Sequence, residues 1–141
     1  MFNLMKKLLV VFLVSIMLMS CMTGFVQASE VAETALQWDY ILDIYRTLDF
    51  YNGVGYFSTL IDCVPEEVVE IEATVTLYYV TSRGNWSKID EWYYDVEDSA
   101  LPVDLTFNAV SGREYVVQVD AIIYAENDSE TFSYATIDVC P

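Results

Sequence analysis

The stretch VEIEATVTLYY, residues 69–79, decides the fold of this chain. Apolar and polar side chains alternate there at every second position, which predicts a β-strand with one buried and one solvent-exposed face. The predicted buried face carries Val69, Ile71, Ala73, Val75, Leu77 and Tyr79. The predicted exposed face carries Glu70, Glu72, Thr74, Thr76 and Tyr78.

Similar runs occur on both sides of this stretch, and turn-forming residues separate them. The predicted strands are residues 44–51, 54–63, 69–79, 86–95, 101–107, 115–123 and 131–139. Asn52 and Gly53 supply the positive φ angles of a type I′ hairpin turn between the first two strands. Seven strands with a turn about every ten residues predict an all-β fold, a single antiparallel β-sandwich of the immunoglobulin-like class, over residues 40–141.

Two strands carry irregularities that the pattern makes visible. Pro102 has no N–H to donate, so its strand is expected at a sheet edge or at a bulge. Ile89 has the opposite parity to Trp86 and Trp92, so either a bulge intervenes or one tryptophan faces solvent.

The first 28 residues have the pattern of a secretory signal peptide. Lys6 and Lys7 precede an unbroken apolar run at residues 8–19, and Ala28 ends a segment that suits cleavage before Ser29. Residues 29–39 have neither turn signals nor alternation, so we expect a flexible or weakly helical arm there. This pattern predicts a secreted, extracellular protein.

Two alternatives remain open for the same segment. Residues 18–21 resemble a bacterial lipobox, in which Cys21 would be acylated and would become the mature N-terminus of a cell-surface lipoprotein. Residues 8–28 carry no charge and could also cross a bilayer without cleavage.

The charge of the chain excludes some partners. The 141 residues contain 22 Asp and Glu against 6 Lys and Arg, a net charge of −16. Phosphate neutralisation needs a basic surface, so we expect no nucleic-acid binding. Membrane contact is expected only through the signal segment or a lipid anchor.

The sequence offers no catalytic residues. It contains no histidine, the commonest general base near neutral pH, and no Ser-x-x-Lys motif that could replace one. Neighbouring acids arise by chance in so acidic a chain, so no carboxylate pair stands out for glycoside hydrolysis. We therefore expect a protein that is not an enzyme.

Cys63 and Cys140 form an even pair in an exported chain, which predicts one disulfide. The alternative is two buried free thiols. Two thiolates without an imidazole fall short of a zinc site.

Calcium is the one cofactor for which the sequence offers ligands, and the expectation without it is no cofactor. Carboxylates cluster at two predicted turns, in Asp95, Glu97 and Asp98 and in Asp128 and Glu130, although neither turn matches an EF-hand. Ordinary solvated loops are the alternative. A titration with millimolar calcium that gives neither heat nor a higher melting temperature would exclude the cation.

Aromatic side chains on predicted exposed faces suggest a binding surface. Tyr78 and Tyr124 fall on such faces, as does one of Trp86 and Trp92, and tyrosine and tryptophan are enriched where proteins bind partners. The candidate binding surface therefore consists of these four residues.

The pattern Gly84-x-Trp86-x-x-Ile89-x-x-Trp92, followed by Gly112-x-x-Tyr115-x-Val117-x-Val119, resembles a family of small exported proteins of Gram-positive bacteria with no assigned function. The resemblance covers residues 44–136 and implies one immunoglobulin-like or fibronectin-III-like sandwich behind a signal peptide. It implies no catalytic residues. The Gly-x-x-Tyr pattern is also that of the tyrosine corner of unrelated sandwiches.

The sequence as a whole predicts an exported, non-enzymatic module that binds a protein or a glycan outside the cell. The alternative is a lipid-anchored surface protein with a structural or display role at the cell envelope.

Overall fold

The computed structural model describes residues 38–141, which fold into seven antiparallel strands in two sheets. The strands are β1 (Ile41–Tyr51), β2 (Val54–Cys63), β3 (Val68–Val80), β4 (Trp86–Val96), β5 (Ala100–Asn108), β6 (Glu114–Ala125) and β7 (Ser129–Val139). Sheet 1 has the order β1-β2-β5 and sheet 2 the order β4-β3-β6-β7, which confirms the predicted sandwich. Within residues 38–141 no helix has the length and hydropathy to cross a bilayer.

The core lies between the inner faces of the two sheets. Its largest side chains with almost no exposure are Tyr115, Phe57, Ile61, Ile71, Leu77, Leu101 and Ile123. They stand at alternate positions of β2, β3, β5 and β6, as a two-residue period requires. Burial of each large aliphatic or aromatic side chain contributes about 1.5–3 kcal/mol, so this alternation is what holds the sheets together.

The chain crosses between the sheets after β2, after β4 and after β5. Strand β4 pairs with β3, whereas the fourth strand of a constant-type immunoglobulin domain lies in the other sheet. The buried Tyr115, near the start of β6, accepts a hydrogen bond at its hydroxyl from the backbone N–H of Val110, with an N–O distance of 2.8 Å. This contact to a residue five positions upstream is the tyrosine corner of such sandwiches.

Strand β4 contains a bulge at Ile89, which explains why Ile89 has the opposite parity to Trp86 and Trp92. Leu77 pairs with Asp90 and Tyr78 with Lys88, so Ile89 has no partner on β3. The extra residue turns the two halves of β4 to opposite faces. As a result Trp86 lies on the outer face of sheet 2 and Trp92 on the inner face.

The start of β3 differs from the prediction. Val68 pairs with Ala125 and Glu70 with Tyr124, so Val69 is the extra residue of a second bulge. Val69 is 53% exposed and Val68 is buried in its place. The prediction of a buried Val69 was wrong because alternation alone does not show where a bulge resets the period.

Two other local predictions are confirmed. Strand β5, which contains Pro102, pairs only with β2 and is therefore an edge strand. Asn52 and Gly53 have φ angles of 51° and 76°, as the type I′ turn between β1 and β2 requires.

The two ends of the sandwich differ in charge. At one end, called here the acidic end, residues 38–40 and the β2–β3, β4–β5 and β6–β7 loops carry Asp39, Glu66, Glu67, Glu97, Asp98, Glu126 and Asp128 and no basic residue. At the other, called the arginine end, the charged residues of the β1–β2, β3–β4 and β5–β6 loops are Arg83 and Arg113.

The predicted disulfide between Cys63 and Cys140 is wrong. Both thiols are buried and free. The N–H of Cys63 donates to Ser99 at the acidic end, while that of Cys140 donates to Arg113 at the arginine end. The 12-residue β6 runs between these ends and spans about 36 Å. A disulfide needs Cα atoms within about 7 Å, so an even count of cysteines was a poor guide to pairing.

Candidate functional site

The outer face of sheet 2 carries an apolar surface at the arginine end. Its members come from all four strands of the sheet, because the register places Tyr78 opposite Val116 and Val116 opposite Ile137. Trp86 pairs with Val80 in the neighbouring row. We call this surface the aromatic patch; it consists of Tyr78, Val80, Trp86, Val116, Ile137 and Val139.

Trp86 and Tyr78 form the centre of the patch. Their ring centroids lie 5.7 Å apart at an interplanar angle of 44°. Trp86 is 46% exposed and Ile137 51%, whereas Val116 beneath them is fully buried. The patch thus presents large apolar side chains to solvent on a sheet, where they cannot turn inward without breaking the strand.

The structure brings together two of the four aromatic residues that the sequence proposed as a surface. Tyr78 and Trp86 lie in the patch. Trp92 lies opposite Val75 and packs partly buried against the core. Tyr124 shares the outer face but stands eight residues along β6 from Val116. At a rise of about 3.3 Å per residue, the two side chains are too far apart to touch, so Tyr124 belongs to a separate surface.

That separate surface is acidic and lies near the acidic end. The Tyr124 hydroxyl donates to Oε2 of Glu72 at 3.2 Å. Tyr93 stands nearby on β4, opposite Thr74, and is 64% exposed. Sequence reasoning missed Tyr93 because the bulge at Ile89 decides on which face of the sheet Tyr93 lies. The sequence alone does not show where such a bulge is placed.

Three carboxylates of this surface stand close together. Glu70, Glu72 and Asp95 each offer an oxygen within 4.8 Å of the other two. Partial desolvation, and then the negative charges of Asp95 and its neighbours, raise the pKa of Glu70 above its usual value. The folded protein therefore retains a proton on Glu70 at a pH where the unfolded chain has lost it.

This pKa shift predicts how stability changes with pH. A carboxyl group with a raised folded-state pKa contributes stability that is present at low pH and is lost as pH rises from about 4.5 through the folded-state value. We expect Glu70→Gln to remove that loss, so that the variant unfolds at a higher temperature than the unmodified protein at neutral pH and at the same temperature near pH 3. Glu126→Gln, in the β6–β7 loop at the same end, is the matched charge control, because Glu126 is not among the charges that raise the pKa of Glu70. Melting curves between pH 3 and 7 in which the two variants behave alike would contradict the prediction.

The predicted calcium ligands occupy different surroundings. Asp95 joins Glu70 and Glu72, whereas Glu130 accepts hydrogen bonds from the backbone N–H groups of Asp39 and Tyr40, each at 3.2 Å. Asp128 accepts one from the Tyr40 hydroxyl at 3.1 Å, and Asp98 accepts one from the N–H of Ser99. Glu97 is exposed in the β4–β5 loop. Calcium binding at these two turns stays a prediction.

The hydrogen bonds to Glu130 have a structural consequence. Together with the Trp38 ring, whose centroid lies 5.7 Å from that of Phe132, they attach residues 38–40 to strand β7. The sandwich therefore begins at residue 38, within the predicted arm of residues 29–39. The signal peptide, Cys21 and residues 29–37 lie outside the described residues.

The known proteins to which this chain is similar are solved structures that share little sequence identity with it. No protein-family model matches the chain, and no curated protein matches it. The chain is similar to part of the beta-glucuronidase of Parabacteroides merdae, at 11% identity and a TM-score of 0.45, over 71% of this chain and 13% of that one. It is also similar to a protein from Archaeoglobus fulgidus, at 14% identity and a TM-score of 0.41, over 72% of this chain and 98% of that one. For CsgH of R. palustris the identity is 11%, the TM-score 0.39, and the coverage 64% and 88%.

Proposed function

We propose that this protein is an exported, non-enzymatic β-sandwich module that binds another protein through the aromatic patch. The observation that supports the proposal is the contact between the exposed Trp86 and the half-buried Tyr78 on the outer face of sheet 2, where the two rings are tilted toward each other. Tryptophan and tyrosine are the residues that most often dominate binding energy at protein interfaces.

The composition of the patch favours a protein over a glycan. Aliphatic side chains surround the aromatic pair, since Ile137 and Val139 are 51% and 48% exposed. Such side chains offer no hydrogen bonds to sugar hydroxyl groups, and they match the apolar core of a protein interface. A glycan remains the alternative ligand. The non-enzymatic part of the proposal is supported by the absence of histidine from the sequence.

Substitution in the patch tests the proposal. We expect Trp86→Ala to weaken partner binding at least about tenfold, because it removes the central aromatic side chain. Its free energy of unfolding is expected to stay within about 1 kcal/mol of the unmodified protein, because Trp86 is half exposed. The measurement is quantitative capture of extracellular proteins and labelled glycans on immobilised protein, together with denaturant unfolding.

The matched control is Tyr51→Ala, since Tyr51 is 69% exposed on sheet 1. A ligand retained by Tyr51→Ala and lost by Trp86→Ala supports the proposal. Equal capture by both variants, or a loss of several kcal/mol of stability in Trp86→Ala, would contradict it.

Export is part of the same proposal. The sequence of residues 1–28 and the resemblance to exported Gram-positive proteins support it, with release after cleavage before Ser29 or anchoring through Cys21 as the two routes. The described part of the chain begins at residues 38–40, at the end of the sandwich opposite the aromatic patch. An intact mass of the protein from medium and from envelope distinguishes a chain that starts at Ser29 from one acylated at Cys21, and an uncut chain in the cells would contradict both routes.

A further inference from the structure

Arginine side chains are scarce in this protein, and their placement is uneven. Of the basic residues between positions 38 and 141, Arg83, Lys88 and Arg113 lie at the arginine end and Arg46 lies on β1. Lys88 forms an ion pair with Glu91, with an N–O distance of 3.0 Å. Within the described residues neither Arg83 nor Arg113 pairs with a carboxylate, although the chain contains 22 acidic residues.

Arg113 is held in position without such a partner. Its guanidinium carbon lies 4.7 Å from the centroid of the Tyr79 ring. The backbone around it is fixed to the end of the chain, because Gly112 N–H donates to Cys140 O at 2.7 Å and Cys140 N–H donates to Arg113 O at 2.9 Å. An exposed guanidinium that lies over a ring and has no carboxylate partner among residues 38–141 can bind a carboxylate with two parallel hydrogen bonds.

Arg113 also lines an open concavity of about 730 Å³ between the β3–β4 turn and the β5–β6 loop. The other lining residues include Thr81, Ser82 and Ser111, whose side chains carry hydroxyl groups. Glu114 is the acidic residue in its lining. Val80 belongs both to this lining and to the aromatic patch, so the concavity adjoins the patch at this residue.

We propose that this concavity receives a carboxylate side chain of the protein that binds the aromatic patch, with Arg113 as the residue that holds it. The inference rests on the proposed function and adds the chemistry of the partner, which is an acidic residue beside apolar ones. Charge complementarity supports this occupant, because the two loops around the concavity carry Arg83 and Arg113, against one acidic residue in the lining, Glu114.

Binding of two model peptides tests the proposal on the ¹⁵N-labelled full chain as the producing cell processes it. The probes are the capped pentapeptide Leu-Glu-Leu-Glu-Leu and the same peptide with Gln in place of Glu. At low ionic strength we expect the Glu peptide to bind about tenfold more tightly, with chemical-shift changes at Gly112, Arg113 and the Trp86 indole. Arg113→Gln should abolish that difference, and Glu114→Gln should increase it by removing a like charge.

Arg46→Gln is the matched control, because the Arg46 guanidinium also lies over a tyrosine ring, that of Tyr134 at 5.3 Å, and its loss changes the net charge equally. It should leave the difference between the peptides unchanged. If Arg46→Gln and Arg113→Gln weaken binding equally, bulk charge explains the effect and the site is overturned. A dispersed spectrum of each variant, recorded first, shows that it is folded.

The remaining outcomes separate this inference from the proposed function. Equal binding of both peptides with shifts at Trp86 would overturn the carboxylate site and leave the patch as a protein-binding surface. Binding of trigalacturonate that depends on Arg113, without binding of either peptide, would overturn the protein partner in favour of an anionic glycan. Shifts at Arg113 without any at Trp86 would overturn the link between the two surfaces.

Discussion

Gly55→Val is expected to lower the free energy of unfolding by about 3 kcal/mol, because no room exists for a side chain at this position. Gly55 lies on the inner face of β2, directly opposite Phe107 on β5. A Cβ atom added there would overlap the ring of Phe107 more closely than real Cβ atoms approach other atoms. The ring has little freedom to withdraw, since its centroid lies 5.3 Å from that of Tyr115 and 6.2 Å from that of Phe50.

A double-mutant cycle in guanidinium chloride checks the cause of this loss. Phe107→Ala costs stability by itself, but in the Gly55→Val background it also removes the overlap, so the double variant should lose less than the sum of the single losses. Additive losses would show that the loss in Gly55→Val arises from the backbone at position 55 and not from overlap with Phe107. A loss below about 0.5 kcal/mol in Gly55→Val alone would contradict the prediction outright.

Tyr115→Phe is expected to lower the free energy of unfolding by about 2 kcal/mol. The substitution keeps the buried ring and removes only the hydroxyl that accepts the hydrogen bond from Val110. The N–H of Val110 then loses its partner at the corner between β5 and β6, where the chain crosses from sheet 1 to sheet 2. Chemical denaturation of both proteins gives the difference directly.

Tyr51→Phe is the control for the loss of a tyrosine hydroxyl. Tyr51 is 69% exposed at the end of β1, so its hydroxyl is solvated in both the folded and the unfolded state. Its substitution should change stability by less than about 0.5 kcal/mol. Equal effects of Tyr51→Phe and Tyr115→Phe would mean that the tyrosine corner contributes nothing to this sandwich.

The confirmed predictions rest on local signals in the sequence. The alternation between Ile71 and Leu77 identified the inner face of β3, and the Asn52-Gly53 pair identified a turn by its backbone geometry. Pro102 identified an edge strand, because a missing N–H has the same consequence in any sheet. In each case the physical cause lies within a few residues of the chain.

The candidate site was predicted only in part, because its members belong to four strands. The sequence singled out Tyr78 and Trp86, but Val116, Ile137 and Val139 joined them only through the register of β6 and β7. The bulge at Ile89 turned Trp92 inward and Tyr93 outward. The position of a bulge depends on the packing of both faces of the sheet. The sequence of one strand therefore does not show which side chains face inward after the bulge.

The sequence by itself determined the strands of residues 38–141, their turns and the inner faces of most of them, since a strand with one apolar face must bury that face against another sheet. It also determined the scarcity of basic residues and the absence of histidine. Only the tertiary structure decided which residues meet across the sheets. It placed Cys63 and Cys140 at opposite ends and Arg113 over the ring of Tyr79, because such distances depend on how strands far apart in the chain are ordered and paired.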